Sequence, residues 1–66
     1  MIQRTHADTQ ADLDLARRYR LRAEEVRSIA EDLKADDTRA MFDKLAREYD
    51  EMAAKFESRA NRTAPE

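Results

Sequence analysis

The chain has no cysteine and no glycine, and its only proline is Pro65. Without cysteine it can form no disulfide, no thiol nucleophile and no cysteine-bound zinc or iron–sulfur site. Without glycine it can form no phosphate-binding glycine loop. Because glycine and proline are the strongest interrupters of helices, their near absence favours long helices. A chain of 66 residues with this composition is expected to form one small helical domain.

Long apolar runs are also missing. No stretch approaches the run of about 20 apolar residues that crosses a membrane, and the opening segment lacks the apolar core of a secretion signal. We therefore expect a cytoplasmic protein with no membrane association. The only histidine, His6, lies outside any pattern, and Ser28 and Ser58 have no histidine near them in the sequence. The sequence thus predicts no enzyme activity, no metal site and no cofactor.

Charged residues make up 42% of the chain, yet apolar residues recur with helical spacing. Alternating steps of three and four place side chains on one stripe of a helix, and disordered chains lack such a stripe. One stripe precedes the acidic pair Asp36-Asp37 and another follows it, so each can cover the other. The predicted hairpin core consists of Tyr19, Ala23, Val26, Ala30 and Leu33 with Phe42, Leu45, Tyr49, Met52 and Phe56.

Polar residues at the ends of the stripes predict the segment boundaries. Thr9 followed by Asp12 is similar to a capping box, and Asp36 or Asp37 can cap a second helix. The predicted segments are a frayed N-terminus at 1–8, a helix at 9–35, a turn at 36–37, a helix at 38–60 and a flexible tail at 61–66. A turn this short requires an antiparallel return. The predicted fold class is therefore all-α, a coiled-coil-like antiparallel two-helix hairpin.

More apolar residues remain than one seam between two helices can cover. Alanines spaced by seven residues permit another backbone to approach closely, and a chain this small gains stability by oligomerisation. We therefore expect a homodimer in which two hairpins form a four-helix bundle. The alternative is a monomer in which Arg20, Arg27 and Lys34 lay their methylene stems over those alanines. The candidate self-association residues are Leu15, Ile29, Met41, Ala46, Ala53 and Ala60.

Charge is unevenly distributed between the two predicted helices. The first carries an arginine-rich segment, whereas the second is rich in acids, among them Asp43, Asp50 and Glu57 at seven-residue spacing. Those three acids are about 10 Å apart along a helix, too far to share a metal ion, and predict a solvent-exposed face. The candidate charged partner face consists of Arg17, Arg18, Arg20 and Arg22. These arginines spread around the helix axis, which favours a solvated, salt-bridged helix face. The alternatives are binding to an acidic protein surface and, less favoured, binding to nucleic acid.

One stretch of the chain resembles a recurrent pattern in short bacterial proteins. Residues 19–27 read YRLRAEEVR, and after the acidic turn come LA at 45–46, YD at 49–50 and MA at 52–53. The pattern is approximately Y-R-x-R-A-E-E-x-R, an acidic turn, and then L-A-x-x-Y-D-x-L/M-A. This chain has Asp37 where the pattern often has proline. The resemblance implies a bacterial helical hairpin and supplies no catalytic residue.

These observations predict a small non-catalytic protein–protein interaction or regulatory module that acts through helix-on-helix contacts. The uncovered apolar residues and the polarised charge are typical of such recognition. One alternative is a nucleic-acid-associated regulator that uses the arginine-rich part of the first helix. Another is an antitoxin-like partner whose N-terminus folds on a larger protein.

Overall fold

A computed structural model describes residues 6–63 of the chain as two α-helices joined by the short loop 33–35. Helix α1 spans His6–Asp32 and helix α2 spans Asp36–Thr63. The helices pack side by side along their length, and the principal extents are 51 × 17 × 15 Å. The prediction of an all-α two-helix hairpin is confirmed. Neither helix is long and apolar enough, in its described residues, to span a membrane.

The outer ends of both helices extend about one turn further than the sequence pattern predicted. α1 begins at His6 and α2 ends at Thr63, so residues 6–8 and 61–63 are helical. Thr9 therefore lies inside α1, and its prediction as the start of the helix was wrong. The predictions for residues 1–5 and 64–66, and for the side chain of His6, lie outside what the structure describes.

Acidic residues explain why α1 ends at Asp32 and not at residue 35. The last turn contains no basic residue, and Glu31 and Asp32 lie where the negative end of the helix dipole disfavours carboxylates. The N–H of Leu33 donates to the carbonyl oxygen of Ala30 over 3.1 Å, which closes the final turn. The connection between the helices is therefore 33–35, and the prediction of a turn at 36–37 was wrong.

The acids predicted to form the turn instead begin the second helix. Asp36 and Asp37 occupy the first turn of α2, where the positive end of the helix dipole favours negative charge. The N–H of Arg39 donates to the carbonyl oxygen of Ala35 over 3.0 Å. This bond has the i to i−4 spacing of an α-helix, so Ala35 is the residue that leads into α2.

The seam between the helices is lined by alanine. Within the described part of the chain, the buried apolar residues besides Val26 are all alanines, and no large side chain is fully buried. Because a methyl group is small, alanines repeated every seven residues on both helices allow the two backbones to approach closely. We call the following set the alanine seam: Ala16, Ala23 and Ala30 of α1 with Ala46, Ala53 and Ala60 of α2.

Half-buried aromatic rings cover the alanine seam and fix the alignment of the helices. The ring of Tyr19 lies 5.9 Å from that of Tyr49 and 5.7 Å from that of Phe56, measured between centroids, and is nearly parallel to Phe56 at 7°. Tyr49 and Phe56 lie about one turn on either side of Ala53. Tyr19 is therefore level with Ala53, and a large residue of one helix packs over a small residue of the other.

The structure corrects the predicted core of α2. Leu45 was assigned to the core but is 38% exposed, whereas Ala46 and Ala53, which were not assigned to it, are fully buried. Met52 is half-buried, as the aromatic residues of α2 are. Leu45 and Met52 fit the spacing of three and four set by the aromatic residues, and Ala46 and Ala53 fit it equally well. Periodicity alone therefore does not show which pair is buried. Placing the smaller residues inward lets the helices pack more closely.

The same finding corrects the predicted self-association surface. Ala46, Ala53 and Ala60 are buried between the two helices of one chain, so they cannot contact a second copy. The remaining predicted core residues lie along the seam, where Ala23, Val26 and Ala30 are buried. The half-buried ones are Tyr19, Leu33, Phe42, Tyr49 and Phe56.

Candidate interaction surfaces

One edge of the seam is closed by charged side chains that cross between the helices. Arg20 and Arg27 each follow a core residue of α1, and Asp50 and Glu57 each follow a core residue of α2. Seven-residue spacing keeps each pair on a single edge of its helix. We call these four residues, Arg20, Arg27, Asp50 and Glu57, the ion-pair ladder.

Arg20 contacts both acids of the ladder. Its Nε donates to Oε2 of Glu57 over 3.0 Å and its Nη2 donates to Oε1 over 2.7 Å, which is a bidentate arrangement. Its Nη1 donates to Oδ1 of Asp50 over 3.4 Å. A single guanidinium on α1 therefore contacts two acids of α2 that lie about two helical turns apart.

Asp50 joins the two arginines of the ladder. Its Oδ2 accepts a hydrogen bond from Nη2 of Arg27, while its Oδ1 accepts one from Arg20. Nη1 of Arg27 also donates to Oε1 of Glu24 over 3.4 Å, one turn back on α1. The result is a continuous row of alternating charges from Glu57 to Glu24.

Hydrogen bonds within the ladder stabilise the charged forms of Arg20, Arg27 and Glu57. The hydrogen bonds from Arg20 hold the pKa of Glu57 below its ordinary value of 4.5. The hydrogen bonds to Glu57 raise the pKa of Arg20, and the hydrogen bond to Asp50 raises the pKa of Arg27. Arg20, Arg27 and Glu57 therefore stay charged at neutral pH.

The ladder was only partly visible in the sequence. Asp50 and Glu57 were assigned to a solvent-exposed face, and that assignment was wrong because both accept hydrogen bonds from α1. The signal was the equal seven-residue spacing of arginines in one helix and acids in the other.

The arginines of the predicted charged partner face are separated by their pairing. Arg17 lies 3.6 Å from Asp14, and Arg22 donates from Nη1 to Oε1 of Glu25 over 3.2 Å. Arg20 belongs to the ladder on one edge, whereas Arg18 and Arg22 lie at the other. These residues therefore do not form one continuous basic surface, which is the arrangement that a phosphate backbone requires.

The edge opposite the ladder is apolar and open. A shallow depression is lined by Leu15, Arg18, Tyr19, Arg22 and Tyr49. It continues into a second depression that shares Arg22 and Tyr49 and extends to Ile29 and Leu45. The seam is therefore sealed by ion pairs on one side and left as a groove on the other.

Large apolar side chains surround this groove. Ile29 is 48% exposed and Met41, one turn before Leu45, is 69% exposed. Three of the six predicted self-association residues, Leu15, Ile29 and Met41, therefore lie on this edge. The other exposed large apolar residues of the described chain, Leu13 and Leu21, follow a different spacing and lie elsewhere. We call the following set the apolar flank: Leu15, Ile29, Met41, Leu45 and Met52.

A buried acid lies at the end of the hairpin away from the loop. Asp12 is only 5% exposed, and its Oδ2 lies 3.9 Å from Nε of Arg59 on α2. The guanidinium carbon of Arg59 also lies 5.8 Å from the ring centroid of Phe56. Asp12 lies seven residues before Tyr19 and therefore on the same face of α1. The seam thus ends in a charged pair.

The side chains that the structure describes form no cluster of three histidine or acidic groups that could hold a metal ion. No protein-family model, curated protein or solved structure matches the chain, so similarity to known proteins does not indicate its function. The resemblance to short bacterial hairpin proteins stays a prediction.

Proposed function

We propose that this protein is a small non-catalytic interaction module that binds another helical surface through its apolar flank. The observation that carries the proposal is the contrast between the two edges of the seam. Ion pairs cover one edge, while Ile29 and Leu45 are exposed beside a groove on the other. Exposed clusters of large apolar side chains rimmed by charge are typical of binding surfaces.

The partner that fits this groove is an amphipathic helix or helix pair with mixed charge. The groove is long and shallow, so it accommodates a rod better than a compact small molecule. Arg18 and Arg22 lie beside it on α1, and Glu25 lies between Arg22 and Ile29. A helical partner therefore needs an apolar stripe with acids opposite the arginines.

A protein partner explains the charge distribution better than nucleic acid does. Arg17 and Arg20 each lie within ion-pair distance of a carboxylate of the same chain. Binding a phosphate backbone would require these pairs to break, and the formal net charge of −2 gives no general attraction to a polyanion.

The proposal is tested by measuring whether the apolar flank is covered in the protein's native setting. The chain has no cysteine, so in Ile29→Cys and Leu45→Cys the introduced thiol is the only one on the chain that a thiol reagent can label. We expect both thiols to react more slowly in an extract of the native cells than in dilute purified protein, because a bound helix shields them.

The matched control is Leu21→Cys, since Leu21 is also a large exposed apolar residue of α1 but lies away from the groove. Its labelling rate should be the same in both settings. If Ile29→Cys and Leu45→Cys were labelled as fast as Leu21→Cys in both the extract and the purified protein, the flank would bind nothing. The proposed function would then be wrong.

A further inference from the structure

We infer that the partner of the apolar flank is a second copy of this chain. The two copies are related by a two-fold axis parallel to the helices, so that α1 of each copy packs over α2 of the other. This inference rests on the proposed function and names its partner. The resulting assembly is a four-helix bundle with both loops at the same end.

The small core of a single hairpin is the first reason. The buried apolar residues described are alanines and one valine, and burial of a methyl group contributes only about 0.8 kcal/mol. The larger apolar side chains are half-buried or exposed. A second hairpin placed on the flank would bury Leu15, Ile29 and Leu45 without changing the seam.

The order of residues along the flank is the second reason. Tyr19 is level with Ala53, and the two helices of the hairpin run in opposite directions, so Arg22 is level with Asp50 and Ile29 with Asp43. An axis parallel to the helices keeps every residue at its own level. Ile29 of one copy then lies against the second copy's Leu45, and apolar surface meets apolar surface.

Charge selects this arrangement over the one with the loops at opposite ends. At the level of Arg22, the flank side of α2 carries Glu48, one turn after Leu45. Packing α1 over the second copy's α2 therefore brings Arg22 against an acid. The opposite arrangement packs α1 over α1 and brings Arg22 toward its own symmetry mate, which is repulsive.

Sedimentation equilibrium with charge variants tests the contact. We expect the purified chain to be a dimer at high micromolar concentration. Arg22→Glu and Glu48→Arg should each weaken the dimer by about tenfold or more through like-charge repulsion, and the double variant should restore it. Circular dichroism checks that each variant remains helical.

The position of the loops tests the arrangement. A spin label at Ala35→Cys lies in the loop, so the distance between labels in the dimer reports which ends are together. Loops at the same end give about 20 Å, the width of two helices, whereas loops at opposite ends give about 40 Å or more, the length of α1. The shorter distance supports the inference and the longer one overturns it.

The two proposals fail in different ways. If the purified chain is a monomer at high micromolar concentration but Ile29→Cys is shielded in the native extract, the inference of self-association is overturned and the proposed function stands. If the chain is a monomer and Ile29→Cys is never shielded, both are overturned. A dimer in which charge exchange between Arg22 and Glu48 gives no rescue also overturns the inference.

Discussion

At the scale of single residues, size decides which side chains enter the core of this protein. Ala46 and Leu45 are neighbours, and both fit the helical spacing set by Phe42 and Tyr49. The more apolar leucine stays at the edge, whereas the alanine is fully buried. The cause is the aromatic rings, which fill the space over the alanines and leave room for nothing larger.

Ala53→Leu should therefore destabilise the hairpin. Ala53 is fully buried and level with Tyr19, so added methylenes must push the helices apart at a cost of about 1–3 kcal/mol. Urea unfolding followed by circular dichroism measures the loss. Ala54→Leu is the matched control, because Ala54 is exposed and leucine is nearly as good a helix former as alanine. Equal stabilities of the two variants would contradict the close packing of the seam.

At the scale of elements, the sequence pattern predicted two antiparallel helices correctly and their ends poorly. Spacing of three and four identifies a helix because it follows from helical geometry over many residues. The ends depend on a few local charges and hydrogen bonds. Asp36 and Asp37 looked like a turn because short acids cap helices well, but the same acids are also favoured inside the first turn.

The interaction surfaces were less predictable than the helices. The arginines and acids of the ladder were each noticed, but pairing them requires knowing which edge of each helix faces the other. That depends on whether Ala46 or Leu45 lies in the seam, and exchanging them rotates α2 about its axis. Once the alanines are inside, Asp50 and Glu57 come beside α1 and Leu45 comes to the open edge.

The end of α1 offers a way to stabilise this element. Asp32→Lys replaces an acid with a base at the negative end of the helix dipole, which should raise the free energy of unfolding by about 0.3–1 kcal/mol. Asp32→Asn is the matched control and should give roughly half of the gain. Both gains should shrink in high salt. Unfolding in urea measures them, and a gain that does not respond to salt would argue against the dipole as its cause.

At the scale of the whole molecule, the hairpin is an asymmetric object. One long edge is tied across by alternating charges and the other presents apolar side chains to the surroundings. Under the proposed function, one edge stabilises the hairpin and the other binds its partner. Changes to the ladder should alter how firmly the two helices hold together, while changes to the apolar flank should alter what the hairpin binds.

Acid should weaken the hairpin through the ladder. Because the pKa of Glu57 is lowered in the folded chain, its contribution to stability is present above its unfolded value of 4.5 and is lost as pH falls through the lower folded value. The difference in melting temperature between the natural chain and Glu57→Gln should therefore narrow as pH falls below 4.5. Thermal unfolding at a series of pH values measures this difference.

The pairing partner provides the control. In chains that also carry Arg20→Gln, the hydrogen bonds that lower the pKa of Glu57 are removed. Glu57→Gln should then have little effect on the pH dependence of melting. Persistence of the full effect without Arg20 would mean that another group is responsible.

The six methyl groups between the helices also set how this protein can change over generations. Each seam position accepts little beyond a methyl group, so substitutions there to leucine, valine or a charged residue should be rejected by selection for folding. The outward positions of both helices carry no such restriction. A lineage of this hairpin can therefore acquire new binding specificities on the open groove while its alanines stay constant, which makes the fold a stable carrier for varied recognition.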